Sequence, residues 1–145
     1  MPTRTARTAW NGTLQEGAGQ VELSSSKVGT FEVSFPKRAA DEAGGTTSPE
    51  ELIAAAHSSC YAMALSNEVG KAGGTPQALD ITAEVTLGQV DGAPTITKIA
   101  LTVRGEVDGL DADGFQQAAQ AAKVGCPVSK ALAAVDISLD AALES

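Results

Sequence analysis

A long helix with almost no charged face is the strongest structural signal in this sequence. Ser48, Pro49 and Glu51 form a capping box with proline at the first helical position, so the helix is predicted to begin at Pro49. It is predicted to end near Gly70, where a glycine-rich segment begins. Because residues 52–65 are apolar nearly all round, this helix should be buried nearly all round. In a chain of 145 residues, such burial requires a sheet on one side and a second subunit on the other.

The rest of the sequence predicts strands and two shorter helices. Alternating or apolar-rich runs bounded by turn residues predict six strands, at residues 3–10, 20–23, 30–35, 79–87, 94–107 and 137–139. Asp111 is predicted to cap a helix at residues 112–124, and a third helix is predicted at residues 128–134. Residues 37–47 are predicted to form a polar loop. The order β-β-β-α-β-β-α-α-β has no repeat and no long linker. It predicts a single α+β domain over residues 1–145, with antiparallel β-sheets packed against the helices.

Charge and apolar patterning restrict the function classes and the location. A net charge of −8 argues against nucleic acid as a partner, because a phosphate backbone needs a basic surface, and it also disfavours an anionic membrane surface. The first residues are not followed by an apolar run, so no secretory signal is expected. Residues 52–65 fall short of the roughly 18 consecutive apolar residues expected of a membrane-spanning helix. We therefore expect a soluble, cytoplasmic protein with no nucleic-acid or membrane partner.

The two cysteines, Cys60 and Cys126, are the residues best suited to chemistry. They lie 66 positions apart, so any joint role depends on the fold. Cys60 lies in the middle of the apolar helix, where burial raises the pKa of a thiol. The alternative to a reactive Cys60 is a small hydrophobic core residue that takes part in no reaction. Cys126, between Gly125 and Pro127, lies at a helix N-terminus, where free N–H groups stabilise a thiolate. An incidental cysteine at a helix cap is the alternative there. Local physics favours Cys126 as the readier thiolate.

Other side chains are needed to activate Cys60. Arg38 follows a predicted strand, and its permanently charged guanidinium can hold a thiolate. Glu50, in the first helical turn, can orient Arg38 through a bidentate pair. A solvated loop charge and a complement to the helix dipole are the ordinary alternatives for these two residues. His57 shares a helix face with Cys60 and is a candidate base, a core histidine with satisfied hydrogen bonds, or a zinc ligand together with both cysteines.

Two stretches of the sequence resemble motifs of one known family. The stretch SPEELIAAAHSSCYAMALS at positions 48–66 resembles the central helix of the OsmC/Ohr family, most closely that of its osmotically inducible OsmC branch. The stretch AKVGCPVSK at positions 122–130 is similar to the second-cysteine motif of the family, and residues 80–87 and 96–101 are similar to its central strands. The resemblance covers essentially the full length. Two cysteine motifs at this separation are more specific than either motif alone.

The resemblance implies a reductase of organic hydroperoxides that works as an intertwined homodimer without a cofactor or a metal. It matches Cys60 to the peroxidatic cysteine, Cys126 to the resolving cysteine, and Glu50 to the acid of the family's N/S-P-E motif. In the implied reaction, the Cys60 thiolate attacks the peroxide O–O bond and becomes a sulfenic acid. Cys126 then forms a disulfide with Cys60, and an external dithiol reduces that disulfide.

The arginine of the family is matched to Arg38, with Lys37 and Arg7 as weaker candidates. Ten residues of straight helix separate Glu50 from Cys60 by about 15 Å, which one arginine does not easily bridge. We therefore expect Arg38 and Glu50 to serve Cys60 of the partner subunit, with the active sites at the subunit interface.

Two other functions stay open on the sequence. One is a non-catalytic stress or small-ligand-binding dimer with incidental cysteines, because sparse aromatics and an alanine-rich helix would suit a cavity for an apolar molecule. The other is a zinc protein that uses His57, Cys60 and Cys126 as ligands.

Overall fold

The computed structural model describes residues 1–144, which form six strands and four helices. The strands are β1 Arg7–Asn11, β2 Ala18–Glu22, β3 Thr30–Val33, β4 Thr75–Val90, β5 Ala93–Asp108 and β6 Asp136–Leu143. The helices are α1 Phe35–Ala39, α2 Pro49–Lys71, α3 Ala112–Gly125 and α4 Pro127–Ala131. This content confirms the predicted α+β class. The long helix α2 begins at Pro49, as the capping box predicts.

Residue contacts divide the chain into two units, Met1–Leu52 and the part from Ile53 onward. The first unit contains a three-stranded antiparallel sheet in the order β1-β2-β3, together with α1. The second unit contains most of α2, the sheet β4-β5-β6, and helices α3 and α4. The boundary between the units falls within α2.

Strands β4 and β5 form a hairpin that is longer than the sequence predicts. Each strand has 16 residues, whereas the alternation predicted residues 79–87 and 94–107. Asp91 and Gly92 close the hairpin with φ angles of 51° and 78°, the left-handed conformation that a two-residue turn of this kind requires. Antiparallel pairing continues over nearly the whole length of both strands. Hydrogen bonds to a neighbouring strand therefore extend each strand beyond its locally patterned residues.

One pair of strands differs from the antiparallel pairing that the sequence predicts. β4 and β5 are antiparallel, but β6 pairs with β5 in parallel, from Lys98↔Asp136 to Gly105↔Leu143. The reason is the connection: α3 and α4 lie between β5 and β6 along the chain. A helical crossover returns the chain to the same end of the sheet, so the next strand runs in the same direction.

The predicted loop at residues 37–47 begins with a helix instead. Helix α1 takes up Phe35–Ala39, where the sequence predicted the end of a strand and the start of a loop. Ser34 caps this helix by accepting a hydrogen bond from the Lys37 N–H, and Pro36 lies in its first turn. Proline is tolerated there because the first N–H groups of a helix have no intrahelical partner. The short helix carries Arg38 in its last turn.

Helix α2 buries only one of its faces within the single chain. Tyr61, Leu65 and Val69 follow one another at intervals of four residues, are fully buried, and cluster with buried residues of β5 and α3. Met63, on another side of the helix, is 73% exposed. The burial predicted nearly all round is therefore not reached by this chain alone. No helix within residues 1–144 is long and apolar enough to cross a lipid bilayer.

Candidate functional site

The fold brings the two cysteines into contact. Cys60 lies in the middle of α2 and Cys126 lies at the junction of α3 and α4, yet their Sγ atoms are 3.2 Å apart. Both cysteines are free thiols; Cys126 is fully buried and Cys60 is partly buried. Their Sγ atoms are close enough for one thiol to donate a hydrogen bond to the other, and for a disulfide to form after a small movement.

The surroundings shift the pKa values of the two thiols in opposite directions. Burial raises the pKa of Cys60, although the Val128 N–H partly offsets this effect. Burial alone would also raise the pKa of Cys126, but the Ser129 N–H, the Cys60 thiol, the Ser129 hydroxyl and the Val128 N–H together lower it below its ordinary value. Cys126 therefore loses its proton more readily than Cys60, and it is the thiol that local physics favours in the sequence.

The setting of Cys126 follows from the break between α3 and α4. The N–H of Cys126 closes the end of α3 by donating to the Ala122 carbonyl, and Pro127 starts α4. Cys126 is the N-cap residue of α4, but its Sγ makes no capping hydrogen bond to that helix. The free N–H groups of Val128 and Ser129 nevertheless face it and favour its charged form.

Arg38 and Glu50 form a bidentate ion pair in the first unit. Arg38 Nε donates to Glu50 Oε1 at 2.8 Å, and Arg38 Nη2 donates to Glu50 Oε2 at 2.9 Å. Glu50 is 7% exposed. Hydrogen bonding to Glu50 raises the pKa of Arg38, so the guanidinium stays charged. The weaker arginine candidates, Lys37 and Arg7, are exposed. The carboxylate of Glu50 therefore holds Arg38 in one orientation, and within residues 1–144 its other Nη group remains available to another acceptor.

A small apolar cavity lies beside Arg38 in the same unit. Its volume is about 140 Å³, and it is lined by Trp10, Leu14, Val33, Ser34, Phe35, Arg38 and Pro49. Trp10 is 41% exposed and Leu14 is 57% exposed. Neither residue was predicted from the sequence as part of a site. The signal that points to Trp10 is the rarity of aromatics in the chain, because only 3% of its residues are Phe, Trp or Tyr, whereas no sequence signal distinguishes Leu14.

His57 is directed to a serine rather than to the cysteines. Its Nε2 lies 2.8 Å from the Oγ of Ser129, and both residues are buried. Its Nδ1 is buried without a hydrogen-bond partner in the described part of the chain. Within residues 1–144, no group of three His, Cys, Asp or Glu side chains is arranged to hold a metal ion, which leaves the zinc alternative without structural support. Ser129 was not predicted from the sequence; its spacing of one helical turn from Cys126 is the signal that could have identified it.

Replacing His57 with glutamine is expected to change how stability depends on pH. Burial lowers the pKa of His57 from its ordinary value of 6.5, so the native chain keeps it neutral where an unfolded chain binds a proton. The stability that depends on His57 is complete above that value and is lost as the pH falls toward the lower native pKa. The loss is at most about 1.4 kcal/mol per pH unit.

Urea unfolding in reducing buffer at pH 7.5 and pH 5.5, at one protein concentration, measures this effect. His57→Gln should lack the part of the decline that the histidine causes, while the carboxylates contribute equally to both proteins. Identical pH dependence in the wild type and His57→Gln would show that His57 binds a proton equally well in both states.

Comparison with known proteins places the chain in one family. The model of the OsmC-like protein family matches residues 41–140. The chain is 46% identical over 136 residues to the Escherichia coli (strain K12) protein named Peroxiredoxin OsmC. The aligned residues cover 94% of this chain and 93% of that protein. A Shigella flexneri protein of the same name matches equally well.

Solved structures share the fold. The organic hydroperoxide resistance protein OhrB of Bacillus subtilis has a TM-score of 0.74 and 28% identity, over 94% of this chain and 97% of that one. An organic hydroperoxide resistance protein OsmC from Legionella pneumophila has a TM-score of 0.72, 22% identity and coverage of 98% and 99%, which supports the fold alone. By sequence and by fold, this chain belongs to the OsmC-like protein family.

Proposed function

We propose that this protein reduces organic hydroperoxides to alcohols with its two cysteines. The observation that carries the proposal is the contact between the two free thiols. Their Sγ atoms are 3.2 Å apart in space although the two cysteines are 66 positions apart in the sequence. Support comes from the relatives' names, Peroxiredoxin OsmC and organic hydroperoxide resistance protein.

The reaction follows from thiol chemistry. The Cys60 thiolate attacks the terminal peroxide oxygen; an S–O bond forms, the O–O bond breaks, and the alkoxide leaves as an alcohol after it takes up a proton. Cys126 then attacks the sulfur of the Cys60 sulfenic acid. An S–S bond forms, the S–O bond breaks, and the oxygen leaves as water. An external dithiol reduces the disulfide by thiol–disulfide exchange and returns both thiols.

Cys60 requires a cation for the first step, because its pKa is raised in the single chain. The groups of the described chain that act on this pKa are its burial, the Val128 N–H and Cys126, and none of them is cationic. Arg38 is held on Glu50, ten residues before Cys60 on α2, a helical rise of about 15 Å.

We therefore assign Arg38 and Glu50 to the active site of the partner subunit, in a homodimer. The exposed Met63 side of α2 supports this arrangement, because a second copy would cover an apolar surface that the single chain leaves open. Each dimer then has two sites at the subunit interface, each with a thiol pair from one chain and an arginine–carboxylate pair from the other.

The substrate class follows from the surroundings of Arg38. The cavity beside the guanidinium is lined mainly by apolar side chains, among them Trp10, Leu14 and Phe35. An alkyl or aryl group buries apolar surface against such a wall, and hydrogen peroxide has no such group to bury. Organic hydroperoxides with a bulky apolar substituent, such as cumene hydroperoxide, are therefore the proposed substrates.

Thiol counting tests the proposal directly. We expect the reduced wild type to lose both free thiols after one equivalent of cumene hydroperoxide, because one peroxide supplies the two oxidising equivalents of one disulfide. Cys126→Ser should lose its single thiol and retain a sulfenic acid, detectable by dimedone labelling and mass spectrometry. Cys60→Ser is the matched control and should keep its remaining thiol. Thiols that stay free in the wild type would contradict the proposal and favour a ligand-binding dimer with incidental cysteines.

A further inference from the structure

His57 is the one buried polar residue of α2 that the proposed reaction leaves without a role. Its Nε2 contacts the Oγ of Ser129 at 2.8 Å, and Ser129 is 6% exposed. Ser129 lies in α4, three residues after the N-cap Cys126, so about one helical turn separates the two residues. The contact thus joins the helix of Cys60 to the helix that begins at Cys126.

The direction of the hydrogen bond between His57 and Ser129 follows from the other nitrogen of the ring. Nδ1 has no partner in the described part of the chain. If Ser129 donated to Nε2, then Nδ1 would carry a buried proton without an acceptor. If Nε2 donates to Ser129, Nδ1 leaves only a lone pair unpaired, and orphaned buried N–H groups are the rarer case in proteins. The arrangement with Nε2–H as donor leaves the hydroxyl proton of Ser129 free for a second acceptor.

We propose that His57 and Ser129 are positioning residues for Cys126, with His57 Nε2–H holding the Ser129 hydroxyl so that its proton is donated to the Cys126 sulfur. The inference rests on the proposed function in assigning the resolving step to Cys126. In that step the Cys126 thiolate attacks the Cys60 sulfenic sulfur; the S–S bond forms, the S–O bond breaks, and the released hydroxide takes a proton from solvent and leaves as water. The hydroxyl orients the attacking sulfur and keeps it charged, and no proton passes to His57.

The charges around Cys126 agree with this assignment. Burial raises the pKa of Cys126, and the N–H and hydroxyl of Ser129 are among the groups that reverse the shift and lower it. Among the titratable groups of α2, Cys60 and Tyr61 interact with Cys126, and His57 contacts Ser129. The nearby basic residues of α3 and α4, Lys123 and Lys130, are the same in every variant compared below.

The test follows the reactivity of Cys126 alone. In full-length Cys60→Ser protein, Cys126 is the only thiol, and its rate of alkylation by iodoacetamide is measured from pH 5 to pH 10. Adding Ser129→Ala should slow alkylation at neutral pH about tenfold, because a hydrogen bond to a charged group is lost. The rate at the high-pH plateau should not change. Ser129→Thr keeps the hydroxyl and should restore most of the rate.

The histidine is tested in the same background. His57→Leu removes the donor and should slow alkylation at neutral pH, whereas His57→Gln keeps an N–H of similar reach and should slow it less. This pair also keeps the proposal testable if Ser129→Ala does not fold. Tyr61→Phe is the matched control, because it removes another buried hydroxyl, one that donates to the Ala119 carbonyl at 2.8 Å.

An unchanged pH profile in both Ser129→Ala and His57→Leu would overturn the proposal. So would an equal change in Tyr61→Phe, because it would indicate general loosening. The readout does not depend on peroxide reduction. If the wild-type thiols did not react with cumene hydroperoxide, the proposed function would be refuted, but the conclusion from the alkylation rates would be unaffected.

Discussion

Replacing Arg38 with methionine is expected to lower kcat/KM for cumene hydroperoxide by about 10²- to 10³-fold, the loss typical of removing one preorganised donor from a reacting centre. The physical reason is the raised pKa of Cys60, which needs a nearby cation to become a thiolate at neutral pH. The same guanidinium is expected to donate to the peroxide oxygen that becomes the alcohol. Steady-state peroxide consumption with an excess of a small dithiol measures the effect.

Lys37→Met is the matched control, because it removes an equal charge from the neighbouring residue of α1, which is exposed. It should leave kcat/KM nearly unchanged. Glu50→Gln keeps the length of the side chain but weakens its pair with Arg38, so its effect should lie between the two. Equal losses in Arg38→Met and Lys37→Met would show that the net charge of the surface matters, and would remove Arg38 from the site.

Mixing two inactive variants is expected to restore activity, which is the second large effect. In a heterodimer of an Arg38→Met chain and a Cys60→Ser chain, a shared site combines the intact Cys60 of one chain with the intact Arg38 of the other. Such a heterodimer should have about half of the wild-type activity, since one of the two symmetry-related sites is complete. Two affinity tags, used in sequence on co-expressed chains, isolate the mixed dimer for assay.

The reciprocal heterodimer is the control for this complementation. It pairs a wild-type chain with a chain that carries both Arg38→Met and Cys60→Ser. A shared arrangement predicts no complete site in this dimer, whereas an arrangement within each chain predicts one. The two heterodimers therefore give opposite results under the two arrangements. Activity only in the reciprocal dimer would place Arg38 beside Cys60 of its own chain and refute the assignment to the partner.

The main elements of the fold could be predicted because their signals are local. The capping box at Ser48 and the Asp111 cap set the starts of α2 and α3, since each cap satisfies N–H groups within a few residues of itself. The Asp91–Gly92 turn was equally local. The parallel pairing of β6 was not, because it depends on how α3 and α4 return the chain across the sheet. Helix α1 was hidden by Pro36, which ends strands and also begins helices.

The candidate site divides in the same way. The reactivity of Cys126 is expected from Gly125 and Pro127 on either side of it, and its pKa is lowered in the structure. A bidentate pair between Arg38 and Glu50 was also expected, and in the structure both oxygens of Glu50 accept hydrogen bonds from Arg38. Ser129 was missed because a serine in a short helix is ordinary until a buried histidine is found against it.

The amino-acid sequence by itself determined which residues can react and which local structures carry them. It placed Cys60 inside an apolar helix and Cys126 at a helix N-terminus, and it set the family motifs around both cysteines. Only the tertiary structure decided that the two Sγ atoms lie 3.2 Å apart and that His57 contacts Ser129. Propensity, capping and charge act over a few residues, whereas a contact across 66 positions is set by the packing of α2, α3 and the sheet around a shared core.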